Sequence, residues 1–274
     1  MDQNSLIFLH IPKTAGSTFH TILNKRYDAK HVQNVFGSRY FEPEIKQFVE
    51  TPNSDKSHIK LLKGHMPFGL HKYMPSKSDY IAILRDPVER VISQFYYIKK
   101  NINNPLHETV EGNKMSLKEF VSSGVAIGMN NGQCRFLNGD FDEYPFDGCT
   151  EELLRQVKKH VDEHFIWLGL TERFDESILI LRDKLGWKNE PNYIRANVSK
   201  TRKKSSSIDP SVLETIKAYN KFDIALYEYA NELLDLEIAK ISDFDERLEN
   251  FKKRNAMLEK RWGWLPDRMQ QMFI

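Results

Sequence analysis

The order of apolar runs and helical stripes along the chain predicts an α/β protein. Apolar runs of strand length stand at 6–9, 59–62, 80–84 and 165–170, and helix-spaced apolar positions follow most of them. Strands that alternate with helices in this way pair in parallel, and the helices cover both faces of the sheet. We therefore expect a P-loop-like three-layer fold, with a mostly parallel central sheet flanked by helices.

The last quarter of the chain reads as helical throughout. After residue 236 the sequence becomes strongly charged and keeps one narrow apolar face, which includes Phe244, Leu248 and Phe251. A helix of this kind covers a core with one stripe and faces water with the rest. We expect one main domain over residues 1–236 and a helical C-terminal extension over 237–274, packed on that domain.

The stretch 6–19, LIFLHIPKTAGSTF, has the layout of a phosphate cradle. A strand leads into a loop with Lys13 and Gly16, and a helix with Phe19 on its buried face follows. A helix start offers free N–H groups and the positive end of a dipole to an anion. The G-x-x-x-x-G-K-[ST] pattern of ATPases is absent, so another phosphate compound is expected. The candidate ligands are Lys13, Thr14, Ala15, Gly16, Ser17 and Thr18.

A second phosphate motif follows the apolar run at 80–84. Arg85 stands at the carboxyl end of this predicted strand, before Asp86, Pro87 and a helical pattern. Ser93 falls about two turns into that helix, on the same general side as Arg85. An Arg fork together with a hydroxyl is a good receptor for a terminal phosphate.

These two motifs, HIPKTAGSTF and then LRDPVERVISQF, resemble the sulfotransferases that use PAPS, 3′-phosphoadenosine 5′-phosphosulfate. The chain is most similar to the carbohydrate branch that includes the heparan and dermatan sulfate 2-O-sulfotransferases. The resemblance implies that the first motif binds the 5′-phosphosulfate and the second binds the 3′-phosphate. It is firm over 6–97, weaker over 98–204 and absent beyond Glu237.

The resemblance implies transfer of a sulfuryl group from PAPS to a hydroxyl by in-line displacement, with PAP as the product. The acceptor is expected to be a glycan or glycoconjugate. His65, in a loop between Gly64 and Gly69, is the expected general base, since histidine accepts protons near neutral pH. The related 2-O-sulfotransferases carry a glycine–histidine pair at the matching place. Lys13 is expected to stabilise the developing charge. The alternative for His65 is a structural loop histidine.

Further residues are assigned on the same resemblance. A basic loop that closes over the 3′-phosphate and adenine in the family corresponds here to Lys200, Thr201 and Arg202. A solvated charge run is the alternative for this loop. Three residues are candidates for contact with the acceptor. They are His71, by its position six residues after His65, and Gln133 and Arg135, whose region borders the acceptor cleft in the resembled family. The alternatives are a surface histidine for the first and turn or structural residues for the other two.

The spacing of His65 and His71 fits no helical metal pair, and no metal is expected.

Composition narrows the class of protein. The 274 residues are 40% hydrophobic and 28% charged, as in an ordinary soluble globular protein. A formal net charge of +2 gives no global field that favours nucleic acid. Cys134 and Cys149 are too few for a disulfide framework; two reduced thiols are expected, although one bridge is permitted.

No apolar run is long enough for a membrane span or a signal-peptide core. Because eukaryotic members of the resembled family are anchored Golgi enzymes, the sequence suggests a cytoplasmic, bacterial relative.

Two other functions stay open at this point. A nucleotide-dependent kinase shares the strand–loop–helix cradle, but the Walker pair and an obvious magnesium carboxylate are missing. A non-catalytic module that binds PAP or PAPS would keep both phosphate motifs and would not need His65. The oligomeric state and the identity of the acceptor stay open.

Overall fold

The computed structural model describes residues 4–37, 42–195 and 205–265. Its strands are β1 (Ser5–Leu9), β2 (Val32–Asn34), β3 (Leu61–Gly64), β4 (Ser78–Leu84) and β5 (Phe165–Leu170). Its α-helices are α1 (Gly16–Arg26), α2 (Pro43–Glu50), α3 (Pro87–Lys100), α4 (Leu117–Ser122), α5 (Gly132–Asn138), α6 (Glu151–His164), α7 (Phe174–Lys184), α8 (Pro210–Tyr219), α9 (Lys221–Ile238) and α10 (Phe244–Trp262).

The strands form one sheet in the order β2-β3-β1-β4-β5, and every pairing within it is parallel. All residues of β1 are buried. Since successive side chains on a strand point to opposite faces, both faces of the sheet are covered at its centre. This confirms the predicted α/β fold with a parallel central sheet between helical layers.

Two details of the sheet differ from the sequence prediction. The run expected at 59–62 forms a strand at Leu61–Gly64, which includes the buried Lys63. Lysine is seldom buried, so an apolar run does not predict it as part of a strand. The edge strand β2 has three half-buried or exposed residues and carries no apolar signal.

The order of the strands brings the two phosphate motifs and His65 together at the carboxyl ends of the three inner strands. β1 lies between β3 and β4, and all three run in the same direction. The loops after their carboxyl ends therefore adjoin one another, and these loops carry Lys13, His65 and Arg85. In open parallel sheets, ligands bind beyond the carboxyl ends of the strands.

The C-terminal helices contribute to the same core as the sheet. Phe244, Leu248 and Phe251 of α10 belong to the main hydrophobic cluster, and α10 packs on α7. Helix α9 continues to Ile238, so it crosses the expected boundary at residue 236. The division into a domain and an extension stays a prediction.

Both cysteines are free thiols, as expected. Among the helices that the structure describes, none has the length and apolar character needed to cross a bilayer.

Candidate active site

The loop after β1 is shaped to present backbone N–H groups to an anion. Lys13 and Ala15 adopt left-handed backbone angles, with φ of 73° and 61°. This conformation costs residues with a β-carbon roughly 1–2 kcal/mol. Helix α1 begins at Gly16 without a side-chain cap and without an acidic residue in its first turn. The first turn of α1 therefore places no carboxylate of its own beside its N–H groups, which suits a bound phosphate.

The side chains of this loop differ in what they can offer. Thr14 is fully buried, and its hydroxyl donates to the Ile11 carbonyl at 2.8 Å. Thr18 is also buried, whereas Ser17 is exposed. The Thr14 hydroxyl thus shapes the loop, and the backbone N–H groups, Lys13 and the Ser17 hydroxyl stay candidates for contact with a ligand.

Arg85 connects the two motifs. Its Nη1 donates to the Lys13 carbonyl at 3.0 Å, which helps to hold Lys13 in its left-handed conformation. The guanidinium is mostly buried, and it lies 3.8 Å from a Glu89 oxygen and 3.6 Å from a Glu172 oxygen. A phosphate at this site would share Arg85 with two carboxylates, so the positive charge of Arg85 is partly compensated before any ligand binds.

Local chemistry explains the Arg-Asp-Pro sequence. The Asp86 side chain caps α3 by accepting a hydrogen bond from the Glu89 N–H at 2.8 Å. Pro87 occupies the first helical turn, where its missing N–H costs nothing. Strand β4 therefore ends at Leu84 and α3 begins at Pro87, which fixes Arg85 directly after the carboxyl end of β4.

Lys13 is in contact with an aromatic ring of the second motif. Its ammonium lies 3.9 Å from the centre of the Tyr97 ring, in cation–π geometry. Tyr97 is on α3, one turn after Ser93. The Ser93 side chain is half-buried. The ring holds the Lys13 ammonium over the helix that carries Ser93, and Tyr97 is a site residue that the sequence did not indicate.

His65 lies against His10 at the start of the cradle. Its Nδ1 is 2.7 Å from the His10 carbonyl, and the two imidazole rings stack with centroids 4.2 Å apart. Since a carbonyl only accepts, Nδ1 carries the proton and Nε2 keeps its lone pair. Burial lowers the pKa of His65, the charge of Lys13 lowers it further, and the bond to the His10 carbonyl opposes both. His65 is thus a neutral imidazole near pH 7 with Nε2 available as a base.

The glycine before His65 permits a close backbone approach. Gly64 has φ of 146°, and a β-carbon there would lie 1.9 Å from the Val35 carbonyl oxygen. On either side of Gly64, the Val35 N–H donates to the backbone carbonyl of Lys63, and the Gly37 N–H donates to the backbone carbonyl of His65. These bonds carry the segment after β2 alongside His65.

The same bonds hold Phe36 beside the candidate base. Phe36 is 47% exposed, and its ring centroid lies 6.0 Å from that of His65 in edge geometry. Phe36 thus presents an exposed aromatic ring that is held beside the half-buried imidazole of His65. Sequence reasoning missed Phe36, because a lone aromatic residue in an irregular segment carries no periodic signal.

Gln133 and Arg135 have structural contacts. The Gln133 side chain is fully buried and bonds both the N–H and the carbonyl of Arg85, each at 2.9 Å. The Gln133 N–H itself donates to Asp223 at 3.0 Å. Arg135 is also fully buried and donates to several carbonyls of its own loop, including that of Tyr144. Gln133 therefore positions Arg85, and no observation supports acceptor contact by either side chain.

His71 lies near the amino ends of β4 and β5, opposite the end of the sheet that carries Lys13, His65 and Arg85. With residues at the starts of β4 and β5 it lines a cavity of about 420 Å³, and its Nδ1 is 3.2 Å from the Tyr80 hydroxyl. Its ring is 4.6 Å from that of His164. The structure therefore does not bring His71 to His65, because the carboxyl ends of the strands point away from this cavity. Lys200, Thr201 and Arg202 lie outside the described residues.

Comparison with models of protein families gives a match over most of the chain. A model of the family described as galactose-3-O-sulfotransferase matches residues 2–261. The match runs past Glu237, so the expectation that the resemblance ends there is wrong. A bovine galactose-3-O-sulfotransferase 3 is 25% identical over 83% of this chain. The chain spans 56% of the length of that relative.

A second branch also matches. The heparan sulfate 2-O-sulfotransferase hst-2 of Caenorhabditis elegans is 24% identical over 87% of this chain and 80% of its own length. A crystal structure of mouse sulfotransferase SULT7A1 complexed with PAP aligns with 81% of this chain and 64% of its own chain, at 14% identity and a TM-score of 0.40. That last similarity is too low to carry an inference. The expected resemblance to carbohydrate sulfotransferases is confirmed.

Proposed function

The chain belongs to the galactose-3-O-sulfotransferase family, and we propose that it transfers a sulfuryl group from PAPS to a hydroxyl of a glycan. The observation that carries the proposal is the meeting of three strand ends in one site. Arg85 bonds the backbone of Lys13 at 3.0 Å, and His65 bonds the backbone of His10 at 2.7 Å. An anion cradle, a fixed guanidinium and a neutral base whose Nε2 keeps its lone pair are the parts that sulfuryl transfer requires.

The reaction is a displacement at sulfur. The acceptor hydroxyl oxygen forms a bond to sulfur, the bond from sulfur to the bridging oxygen of PAPS breaks, and PAP leaves with that electron pair. His65 takes the hydroxyl proton on Nε2 as its lone pair becomes the N–H bond. The hydrogen bond from Nδ1 to the His10 carbonyl holds the ring and stabilises the imidazolium that forms.

The two ends of PAPS are assigned to the two motifs. The N–H groups at the start of α1 bind the 5′-phosphosulfate, and Lys13 leaves the Tyr97 ring to meet the charge that grows on the bridging oxygen. Arg85 and Ser93 bind the 3′-phosphate. Glu89 and Glu172 lie close to Arg85, so this phosphate competes with two carboxylates for the guanidinium. The competition lowers the affinity for PAP.

Phe36 is the acceptor platform in this proposal. A pyranose ring has an apolar face of C–H groups, which packs on an aromatic ring. Phe36 offers such a ring with 47% of its surface exposed and stands beside the base. A galactose-terminated glycan is the first acceptor to test, since relatives named for galactose and for heparan sulfate both match this chain. The cytoplasmic location and bacterial source stay predictions.

A thermal-shift panel tests the nucleotide assignment. PAP with EDTA should stabilise the protein by about 2–3 kcal/mol at a hundredfold excess over its dissociation constant. ATP with magnesium should stabilise it much less. Stabilisation by ATP with magnesium and none by PAP would favour a kinase and remove this proposal.

A further inference from the structure

A chain of hydrogen bonds links the buried Lys63 to His10, the histidine that precedes the cradle loop. Lys63 is 4% exposed, and its ammonium lies 2.6 Å from Asn24 Oδ1 and 3.3 Å from His20 Nδ1. His20 Nε2 in turn lies 3.0 Å from His10 Nδ1. The chain runs from Lys63 in β3, through His20 in α1, to His10 at the end of β1. The mechanism derived above uses neither Lys63 nor His20.

The charge on Lys63 fixes both tautomers in this chain. An ammonium group has donors only, so His20 Nδ1 must accept and the His20 proton must be on Nε2. His20 Nε2 then donates to His10 Nδ1, which leaves the His10 proton on its own Nε2. Burial, with the charge of Lys63, lowers the pKa of His20 to about 4, and burial lowers that of His10 well below its usual value. Both rings are therefore neutral near pH 7, and each hydrogen bond polarises the next.

The His10 Nε2–H faces the start of helix α1. A β-carbon built on Gly16 would lie 1.8 Å from this nitrogen, so the ring edge occupies the space where a Gly16 side chain would be. The ring also stacks on His65 at 4.2 Å. In the described parts of the chain, no group accepts a hydrogen bond from His10 Nε2. A partly buried donor thus lies between the cradle and the base, and it has no acceptor among the described residues.

We propose that His10 is a catalytic residue whose Nε2–H donates to an oxygen of the transferring sulfuryl group. This inference rests on the proposed function. The sulfuryl group must lie between the 5′-phosphate in the cradle and the acceptor oxygen at His65, and His10 touches both of those places. The donor holds sulfur in line with the acceptor oxygen. Lys63 and His20 are positioning residues, which keep the proton of His10 on Nε2.

The sulfuryl group distinguishes PAPS from PAP, so the two ligands separate this role from a structural one. His10→Leu removes the donor, and Lys63→Met removes the charge that fixes its tautomer. Lys56→Met is a matched control, because Lys56 is another buried lysine, 2% exposed, whose ammonium bonds the Phe48 carbonyl. Calorimetric titration without acceptor gives both dissociation constants for each variant.

We expect His10→Leu to weaken PAPS binding about tenfold, the effect of one hydrogen bond to a charged group, and Lys63→Met to weaken it less. PAP affinity should stay within about twofold for both, and Lys56→Met should bind both ligands like wild type. Equal loss of PAP and PAPS affinity in His10→Leu would overturn the inference, since the residue would then shape only the cradle. Unchanged PAPS affinity would overturn it as well.

A measurement on the wild-type protein covers the case in which a variant does not fold. Nitrogen-15 NMR of histidine-labelled protein should show the His10 proton on Nε2, and this resonance should move with PAPS and stay nearly unmoved with PAP. A proton on Nδ1, or the same response to both ligands, would refute the role of His10. A wild-type protein that binds neither ligand would instead remove the proposed function itself.

Discussion

Replacing Gly16 with alanine tests how tightly the cradle and the base are packed together. The new β-carbon would lie 1.8 Å from His10 Nε2, whereas two such atoms in ordinary van der Waals contact are at least 3.4 Å apart. The His10 ring would have to move by roughly 1.5 Å. It cannot do so freely, because it is hydrogen-bonded to His20 at 3.0 Å and stacked on His65 at 4.2 Å. The substitution should therefore strain the site and not merely fill a space.

The expected cost follows from two opposed terms. Overpacking a tight site costs about 1–3 kcal/mol. Alanine in a helix gains roughly 0.5–1 kcal/mol over glycine. The net loss in free energy of unfolding should be about 1–2 kcal/mol, which lowers Tm by roughly 2–4 °C in a chain of this size. PAP affinity should also fall, since Gly16 begins the helix that is proposed to bind the 5′-phosphate.

Calorimetric melting with and without PAP is the assay. Gly128→Ala is the control, because a β-carbon there comes no nearer than 3.2 Å to any neighbouring atom, the nearest being on Phe141. It should shift Tm less and leave PAP affinity unchanged. A Gly16→Ala protein that melts and binds PAP like wild type would refute the reasoning, and would show that His10 is not held against the loop.

Four further outcomes are expected. Lys13→Ala should lower kcat more than PAP affinity, because the charge that it meets grows during transfer, and a change confined to the PAPS KM would contradict this. Arg85→Ala should weaken PAP binding and also lower Tm, since its bond to the Lys13 carbonyl is lost; an unchanged Tm would disprove the second part. Phe36→Ala should raise the acceptor KM severalfold and leave PAP affinity alone, whereas an unchanged KM would exclude the platform role. Burial lowers the pKa of His71 from 6.5 to about 4, so its contribution to stability is present above pH 6.5 and is lost as pH falls towards 4; a His71→Gln protein with the same pH dependence of Tm would argue against this.

The sequence predicted the centre of the fold well, because its strands are continuous apolar runs. The runs at 80–84 and 165–170 lie within β4 and β5, and helix α10 has the predicted apolar face of Phe244, Leu248 and Phe251. The short edge strand β2 has no such run and was not predicted. Strong, repeated hydrophobic patterns determine the sheet, whereas edge strands depend on tertiary pairing.

The candidate site was predicted only in part, because contact between distant residues leaves no local pattern. The sequence singled out His65, Lys13 and Arg85, and the strand order brings their loops together. It did not indicate that Tyr97 meets the Lys13 ammonium or that Gln133 turns inward to hold the Arg85 backbone. One signal was overlooked: a lysine within a buried strand, as at Lys63, is rare unless its charge has a partner.

The most direct test of the central claim is transfer of radiolabelled sulfate from PAPS by wild-type protein and by His65→Ala, in parallel with PAP titration of both. Wild type should label galactose-terminated glycans or another hydroxyl acceptor. His65→Ala should fold, bind PAP like wild type and transfer about 10²–10⁴-fold more slowly, because it lacks the proposed general base. Wild-type protein that binds PAP but labels no hydroxyl acceptor would indicate a non-catalytic binding module. A His65→Ala enzyme with near-normal turnover would show that the base is another group.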